Sequence, residues 1–345
     1  MPDSSYVPPF TFTSAMVNLI AEISELVGKL TMSGSLQRNP RLRRNNRIQT
    51  IHSSLAIENN TLTLSQVTNI IQGKRVLGPP DEIREVKNAY EAYEQLLRLN
   101  PYSLDDLLYA HKILMADLVQ EAGVLRSGGV GVFAGTKLVH LAPPAQFISG
   151  QLSGLLAWCE HAEVHPLIKS CVFHAEFEFI HPFVDGNGRM GRMWQTLLLS
   201  TWKPLFAWLP VESLIEKHQT QYYEALGLAG KLGNSTVFVE FMLEALRDAL
   251  EEAIAAVRYD TVNDTVNDTV SDVGYYFGDI SEKEGAILAI IRKNTKITIG
   301  DMVKETGFSR PTVTRALAAL KKKRVLERVG SDKTGYWKIS DFFYR

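Results

Sequence analysis

Residues 181–192 constrain this chain more than any other stretch. They read HPFVDGNGRMGR, which places two glycines, a carboxylate and a guanidinium in one loop. Apolar residues recur at helical spacing on both sides, from Ile168 to Phe179 and from Met190 to Leu198, so the stretch is predicted to link two helices. A glycine-rich loop that feeds a helix binds anions, because unpaired backbone N–H groups and the positive end of the helix dipole face the ligand.

The charged side chains of this loop suit a polyphosphate bound with a metal ion. Arg189 and Arg192 share one face of the first helical turn and can reach the same phosphates. Asp185 lies at the loop mouth, where a carboxylate can hold Mg²⁺ between phosphate oxygens, and His181 is a base that works near neutral pH. A tight structural turn explains the glycines alone, but it does not explain the base, the carboxylate and the paired arginines.

The loop resembles the signature of the Fic (filamentation induced by cAMP) family, HPFx[D/E]GNGRxxR, and matches it at every specified position. The resemblance implies a protein adenylyltransferase, which transfers AMP from ATP to a Ser, Thr or Tyr hydroxyl of a target protein. It implies that His181 takes the proton of the attacking hydroxyl, that Asp185 binds Mg²⁺ and that Arg192 meets the γ-phosphate. The ATP-binding residues that it implies are Gly186, Asn187, Gly188, Arg189, Met190, Gly191 and Arg192.

A second motif, SLAIEN at residues 54–59, lies upstream of the signature. By its residues alone it is the end of a short helix with an asparagine stop. It also resembles the Fic inhibitory motif [S/T]xxxE[G/N], with Ser54 and Glu58 at the defined positions. The resemblance implies a class II Fic protein, in which Glu58 pairs with Arg192 and blocks productive seating of the γ-phosphate.

Residues 123–144 form a β-type stretch in which Val130–Phe133 and Leu138–Leu141 flank a short turn, a pattern that predicts a hairpin. A purely structural β-ribbon is one explanation. The resemblance implies instead a flap that holds the target segment by strand addition. The predicted flap contacts are Val132, Phe133, Lys137 and Leu138.

Tyr222 and Tyr223 lie on a helix predicted from about Val211 to Leu228. The resemblance places a tyrosine of this region beside the adenine pocket, so one of the two is predicted to contact the base of ATP. A ring packed in the core is an equal alternative.

From Ser281 onward the pattern predicts a small domain of three helices and a hairpin, which resembles a winged helix-turn-helix domain. Arg310, Thr312 and Arg315 are predicted to face outward at the start of its third helix, where such residues contact DNA. A protein–protein or dimerisation module explains the same charges equally well, because the fold does not identify the ligand.

The predicted fold class is mainly α, and the 345 residues are enough for several cores. The predicted order is an N-terminal helical region with the inhibitory helix over 1–100, a Fic helical domain with a small β-hairpin flap over 101–257, a linker over 258–280 and the winged helix-turn-helix domain over 281–345. The linker is predicted from a polar, low-complexity run of DTVN-like repeats.

The amino-acid composition limits the kinds of partner that this protein is expected to bind. A net charge of −1 gives no global attraction to nucleic acid or membrane, so DNA binding requires a local patch. The basic run from Arg38 to Arg47 is predicted to be a solvated face, and Cys159 and Cys171 are predicted to be buried thiols. The sequence has no signal pattern and no apolar run long enough to span a bilayer, so we expect a cytoplasmic protein without membrane contact.

Two functions follow from these motifs. The first is a protein adenylyltransferase that uses ATP and Mg²⁺, acts on a target protein with an accessible hydroxyl and is held inactive by Glu58. The second is a DNA-binding regulator whose Fic site serves as a nucleotide sensor, and Fic enzymes that remove AMP share the same site. His181 favours the enzyme, because a sensor needs the loop and the arginines but no base. A homodimer is left open.

Overall fold

The computed structural model describes residues 6–34, 39–134, 137–264, 282–322, 326–329 and 335–339. The chain divides into two compact units, Met1–Tyr259 and Asp260–Arg345. It is mainly helical, as the sequence predicts. Within the described residues, no helix combines the length and the apolar character needed to cross a membrane.

The first unit is a helical domain that carries one antiparallel hairpin. Short 3₁₀ turns at Leu96–Arg98 and Pro204–Trp208 join some of its elements. In chain order the elements are α1 (Ser14–Ser33), α2 (Pro40–Ile57), α3 (Leu64–Ile71), α4 (Pro80–Gln95), α5 (Leu104–Leu114), β1 (Gly131–Ala134), β2 (Lys137–Leu141), α6 (Ala145–His161), α7 (Pro166–Ile180), α8 (Asn187–Trp202), α9 (Val211–Lys217), α10 (Gln219–Leu232) and α11 (Thr236–Asp264).

Helices α7 and α8 form the centre of this domain. Most residues of both helices are buried, which is the pattern of helices enclosed by others over most of their surface. Helix α7 ends at His181 because Pro182 follows it, and a residue before proline disfavours the helical conformation. Helix α8 begins after Gly186, whose φ of 80° reverses the chain. The signature loop therefore joins two helices that the core holds rigidly.

Helix α2 is longer than the sequence predicts. It begins at Pro40, with Asn39 as the N-cap, and ends where Asn59 adopts a φ of 68°. The basic run therefore lies on a helix, and its prediction as a solvated face is wrong for Arg47. The guanidinium of Arg47 is buried between the rings of Tyr93 and Trp208, 4.8 Å from each centroid, because aromatic faces attract a guanidinium.

Two further boundaries differ from the predictions. The single helix predicted from about Val211 to Leu228 is two helices, α9 and α10, separated at His218. Helix α11 continues to Asp264, so residues 258–264 of the predicted linker are helical. The rest of that linker, 265–280, lies outside the described residues.

The predicted hairpin is present, and its backbone register is irregular. Val132 pairs with His140 and Phe133 with Leu138, so a bulge separates the two pairs. The predicted flap residues Val132, Phe133, Lys137 and Leu138 all lie on its strands. The side chains of these residues lie outside the description, so their contact with a target stays a prediction.

The second unit has the predicted winged helix-turn-helix arrangement. Its elements are α12 (Glu282–Lys293), α13 (Ile299–Thr306), α14 (Arg310–Lys322), β3 (Leu326–Val329) and β4 (Tyr336–Ile339). A turn at Gly307, with a φ of 69°, separates α13 from α14. Trp337 ties the hairpin to the helices, since its backbone and indole N–H groups donate to the carbonyls of Thr295 and Ile297.

We predict that a chain ended at Asp264 folds independently. The buried clusters of the two units share no residue, so the change in the free energy of unfolding should be below about 1 kcal/mol and the melting temperature should shift by at most about 4 °C. Thermal unfolding followed by circular dichroism measures this.

A chain ended at Ser235 is the contrasting variant. It lacks α11, on which Phe238, Leu243 and Leu246 are fully buried. Each such side chain contributes about 2–5 kcal/mol, so this variant should show no cooperative transition. Failure of the Asp264 variant to melt cooperatively would contradict the assigned unit boundary.

Candidate active site

His181 holds a strained backbone conformation at the start of the signature loop. Its φ of 48° and ψ of 62° lie in the left-handed region, and its N–H donates to the carbonyl of Phe177 as the last bond of α7. Its Nδ1 lies 3.9 Å from Oε2 of Glu178, one turn back on the same helix. A base in such a conformation requires other groups to hold the chain.

Arg126 supplies part of that support. Its Nε donates to the carbonyl of His181 at 2.7 Å, and its backbone N–H donates to the carbonyl of Pro182 at 3.0 Å. Burial lowers the pKa of this guanidinium. Leu125 and Arg126 also stand where the looser sequence pattern of the Fic family has similar residues, but that resemblance does not predict these contacts.

His111 holds the other end of the loop. Its ring stacks on Phe183 with 3.6 Å between centroids. Nδ1 accepts from the N–H of Gly123 at 2.8 Å, so Nε2 carries the proton and donates to the carbonyl of Asp185 at 3.0 Å. Burial lowers the pKa of His111 to about 4, so the ring is neutral at physiological pH. No local sequence pattern predicts this role of His111.

The first turn of α8 presents unused backbone donors. Gly186 precedes it and no side chain caps the helix, so its first N–H groups are free to bind an anion. Asn187 does not point outward, since its amide bonds both the N–H and the carbonyl of Phe183 at 2.9 Å and braces the loop. A Cβ on Gly188 would overlap the carboxylate of Glu58, so any larger residue here would require that side chain to move.

Arg189 is bound by two carboxylates. Its Nη1 lies 2.8 Å from Oε1 of Glu85 on α4, and its Nη2 lies 3.2 Å from Oδ1 of Asp185. The second oxygen of Glu85 accepts from the side chain of Asn60 at 2.8 Å, just after the inhibitory motif. Glu85 therefore links Arg189, at the end of the signature loop, to the residues that follow α2.

Arg192 makes the contact with Glu58 that the sequence predicts. Its Nη2 lies 2.7 Å from Oε1 of Glu58 and 3.0 Å from the carbonyl of Ser54, and its Nε donates to Oγ of Ser54 at 3.1 Å. The side chain is only 1% exposed. Burial lowers the pKa of Arg192, but Glu58, Tyr222 and Glu178 together outweigh burial and raise it. The guanidinium is therefore fully charged and needs an anion beside it.

Glu178 lies between these groups with 14% of its side chain exposed. Burial and, to a smaller extent, the carboxylate of Glu58 raise its pKa to about 8, against the opposing effect of Arg192. A Cβ on Gly191 would come within 3.0 Å of Oε1 of Glu178 and 3.1 Å of the His174 ring. At neutral pH Glu178 is thus mainly a neutral acid beside the catalytic candidate His181.

Tyr222 lies in the core and Tyr223 borders the site. Tyr222 is 1% exposed. Its hydroxyl donates to Nε2 of His174 at 3.0 Å, because Nδ1 of that ring donates to Oε1 of Gln195 at 2.6 Å. Tyr223 is half exposed, and its hydroxyl donates to the carbonyl of Ile57 at 3.3 Å. The packed-ring alternative thus describes Tyr222, and Tyr223 stays as the predicted contact of the adenine base.

Asp185 is the carboxylate that the sequence predicts to bind Mg²⁺. No group of three or more His, Cys, Asp or Glu side chains in the described ranges is arranged to hold a metal ion. Asp185 is mostly exposed at the loop mouth. One carboxylate suits Mg²⁺, which is commonly bound by one or two carboxylates plus substrate phosphates.

The predicted DNA contacts lie on α14 of the second unit. Arg310 and Arg315 are exposed, whereas Thr312 is partly buried and its Oγ1 lies 2.9 Å from Oγ of Ser309. That contact is typical of a helix N-terminus. Contact of Arg310, Thr312 and Arg315 with DNA stays a prediction, and Thr312 also bonds Ser309 at the start of the helix.

A solved structure gives the deciding comparison. A Fic family protein from Desulfovibrio desulfuricans G20 is 46% identical in sequence, with a TM-score of 0.72, and the match covers 97% of this chain and 98% of that chain. The chain belongs to the Fic/DOC family. The Fic/DOC family model matches residues 101–199, and the MarR family model matches residues 279–335.

Curated relatives match a smaller part. The protein adenylyltransferase fic-1 of Caenorhabditis briggsae is 30% identical over 208 residues, which are 56% of this chain and 38% of the relative. This chain thus spans well under half the length of that protein. A structure of Fic-1 from Caenorhabditis elegans is 23% identical, with a TM-score of 0.59, covers 70% of this chain and 72% of that one, and shows the shared fold.

We predict that replacing Glu178 by Gln makes the protein more stable at alkaline pH relative to wild type. A carboxyl whose pKa rises from 4.5 to about 8 on folding stabilises the fold fully below pH 4.5, and this contribution is lost as the pH rises through 8. Gln keeps the shape of the neutral acid without a charge. Urea unfolding at several pH values should therefore show a difference that grows across this window, and a constant difference would contradict the pKa of Glu178.

Proposed function

We propose that this Fic protein transfers AMP from ATP to a hydroxyl of a target protein. The observation that carries the proposal is that a base, His181, and two arginines, Arg189 and Arg192, surround an uncapped helix start within one loop. Membership of the Fic/DOC family supports it, as does the similarity to relatives that are named protein adenylyltransferases.

Each residue of the signature loop has its own role in the proposed reaction. The first N–H groups of α8 and the guanidinium of Arg189 bind the phosphates, and Arg192 binds the γ-phosphate. Mg²⁺ held at Asp185 would neutralise charge on the phosphate oxygens. His181 takes the proton of the target hydroxyl, whose oxygen bonds to the α-phosphorus as the bond to the β-phosphate oxygen breaks. Pyrophosphate leaves, so catalysis is mainly positioning and charge stabilisation.

Glu58 opposes this reaction in two ways. Its carboxylate occupies Nη2 of Arg192 at 2.7 Å, so the γ-phosphate has to compete for that donor. It also lies directly against Gly188, in the first turn of α8, where the phosphates bind. Since the carboxylate and the phosphates are both anionic, their proximity is unfavourable. Glu58 is therefore an internal brake on the proposed transfer.

We predict that Glu58→Gly and Glu58→Gln raise AMP transfer about ten- to a hundredfold, since one charge-assisted hydrogen bond contributes roughly 1.5–3 kcal/mol. Each variant is incubated with Mg²⁺ and ATP labelled at the α-phosphate, and label on the protein itself is measured. A parallel reaction with γ-labelled ATP separates AMP transfer from phosphate transfer.

The control is Glu58→Gly combined with His181→Ala. It should bind ATP in calorimetry but transfer no label, because the base acts on the hydroxyl and the loop holds the phosphates. Melting temperatures identify misfolded variants. If both single variants fold and neither exceeds the wild-type rate, the brake is refuted. Near-normal transfer by the double variant would remove His181 from the role of base.

We propose DNA binding as a second function, located in the winged helix-turn-helix domain. The supporting observations are the MarR family match and the exposed Arg310 and Arg315 on α14. Titration of a labelled mixed-sequence duplex should show that Arg310→Ala and Arg315→Ala each weaken binding and reduce the salt slope by about one. Lys304→Ala, at an exposed position on α13, is the control. Absence of duplex binding at low salt would refute the proposal.

A further inference from the structure

Arg126 is a buried guanidinium that binds backbone instead of carboxylates. It is 2% exposed, and its four guanidinium hydrogen bonds within the described residues all go to carbonyl oxygens. Arginine at such a site supplies several donors in a fixed plane, which a lysine ammonium cannot reproduce. The arrangement therefore fixes the relative positions of the chain segments that it joins.

The acceptors fall into two groups. Nε donates to the carbonyl of His181 at 2.7 Å, and Nη2 reaches the carbonyl of Ile180 at 3.3 Å. The other two bonds go to segments that flank the hairpin, from Nη1 to the carbonyl of Gly128 at 2.6 Å and from Nη2 to the carbonyl of Pro143 at 2.7 Å. One side chain thus joins both ends of the hairpin to the backbone of His181.

The His181 end of this bridge needs support. Left-handed backbone costs roughly 1–2 kcal/mol in a residue with a Cβ, and the last carbonyls of a helix lack partners within the helix. Arg126 supplies donors to the carbonyls of both Ile180 and His181. Its own N–H adds a bond to the next carbonyl, that of Pro182.

At the hairpin, the residues that Arg126 binds are also held in place by backbone hydrogen bonding. The N–H of Ala142 donates to the carbonyl of Val130 at 3.1 Å, just outside the paired strands, so the two ends of the hairpin are held together. Gly128 and Pro143 lie immediately beyond that bond on either side. The guanidinium therefore closes the base of the hairpin, and a change in hairpin position acts on the carbonyl of His181.

We propose that Arg126 is a positioning residue that sets the distance between His181 and the β1–β2 hairpin, and so aligns the base with a hydroxyl presented at that hairpin. The inference rests on the proposed AMP transfer. The hydrogen bonds of Arg126 avoid residues 186–192, so its loss should disturb the delivery of the hydroxyl and leave ATP binding intact. A residue that served only the stability of the fold would affect both.

Arg126→Gln and Arg126→Lys test the inference, each alone and in the Glu58→Gly background. In that background, transfer of α-labelled AMP to the protein itself should fall about a hundredfold, while the dissociation constant of ATP should change less than about twofold. Lysine should not restore the rate. In the otherwise wild-type chain, hydrogen exchange should rise in 128–143 and 177–183 together, and stay unchanged in 187–200.

Arg84→Gln is the matched control, because Arg84 is a half-exposed arginine with a single ion pair, 3.3 Å from Asp117. It should change neither transfer nor exchange. The inference fails if exchange rises in only one of the two segments, if it rises throughout the chain, or if transfer and ATP binding weaken in parallel. If Glu58→Gly itself transfers no AMP, the proposed function fails, and the exchange experiment still decides whether Arg126 couples the hairpin to His181.

Discussion

A loop between two buried helices has to satisfy its backbone carbonyls from outside, and this requirement organises the site. Most residues of helices α7 and α8 are buried, so the carbonyls of residues 180–185 depend partly on donors from the protein. Those donors come from α5, through His111, and from the segment between α5 and the hairpin, through Arg126. These bonds stabilise the left-handed His181 and the loop before the open start of α8.

Electrostatics adds a second requirement. Arg189 and Arg192 are both nearly inaccessible to water, and a buried guanidinium without an anion is costly. Carboxylates from the N-terminal helices meet this need, with Glu85 at Arg189 and Glu58 at Arg192. The same donors suit phosphate, so the resting fold already contains the charges that a nucleotide would have to replace. Asn60 connects the two pairs, because it follows the end of α2 and binds Glu85.

Much of this site is predictable from the sequence, and the limits have physical causes. The loop is recognisable because its glycines, base and arginines are contiguous, and Glu58 because its spacing from Ser54 is regular. His111 and Glu178 are single residues whose roles depend on contacts across the fold, so no local pattern marks them. Arg126 matches a looser family pattern, but that match does not reveal the carbonyls that its side chain binds. The prediction that Arg47 is solvated is wrong for a similar reason. Nothing in the local sequence shows that two distant aromatic rings enclose this side chain. The break at His218 cannot be predicted from the spacing of apolar residues, because the helices on both sides of it carry such residues.

The bond between Arg192 and the carbonyl of Ser54 has a consequence for helix α2. That carbonyl belongs to the last turn of α2, where the N–H of Glu58 turns to the carbonyl of Leu55 instead, so Arg192 acts as a cap for the helix end. The cap of this helix end and the ion pair with Glu58 therefore share one guanidinium. A movement of the Arg192 side chain would remove both at once, so the local stability of the last turn of α2 depends on a residue of α8.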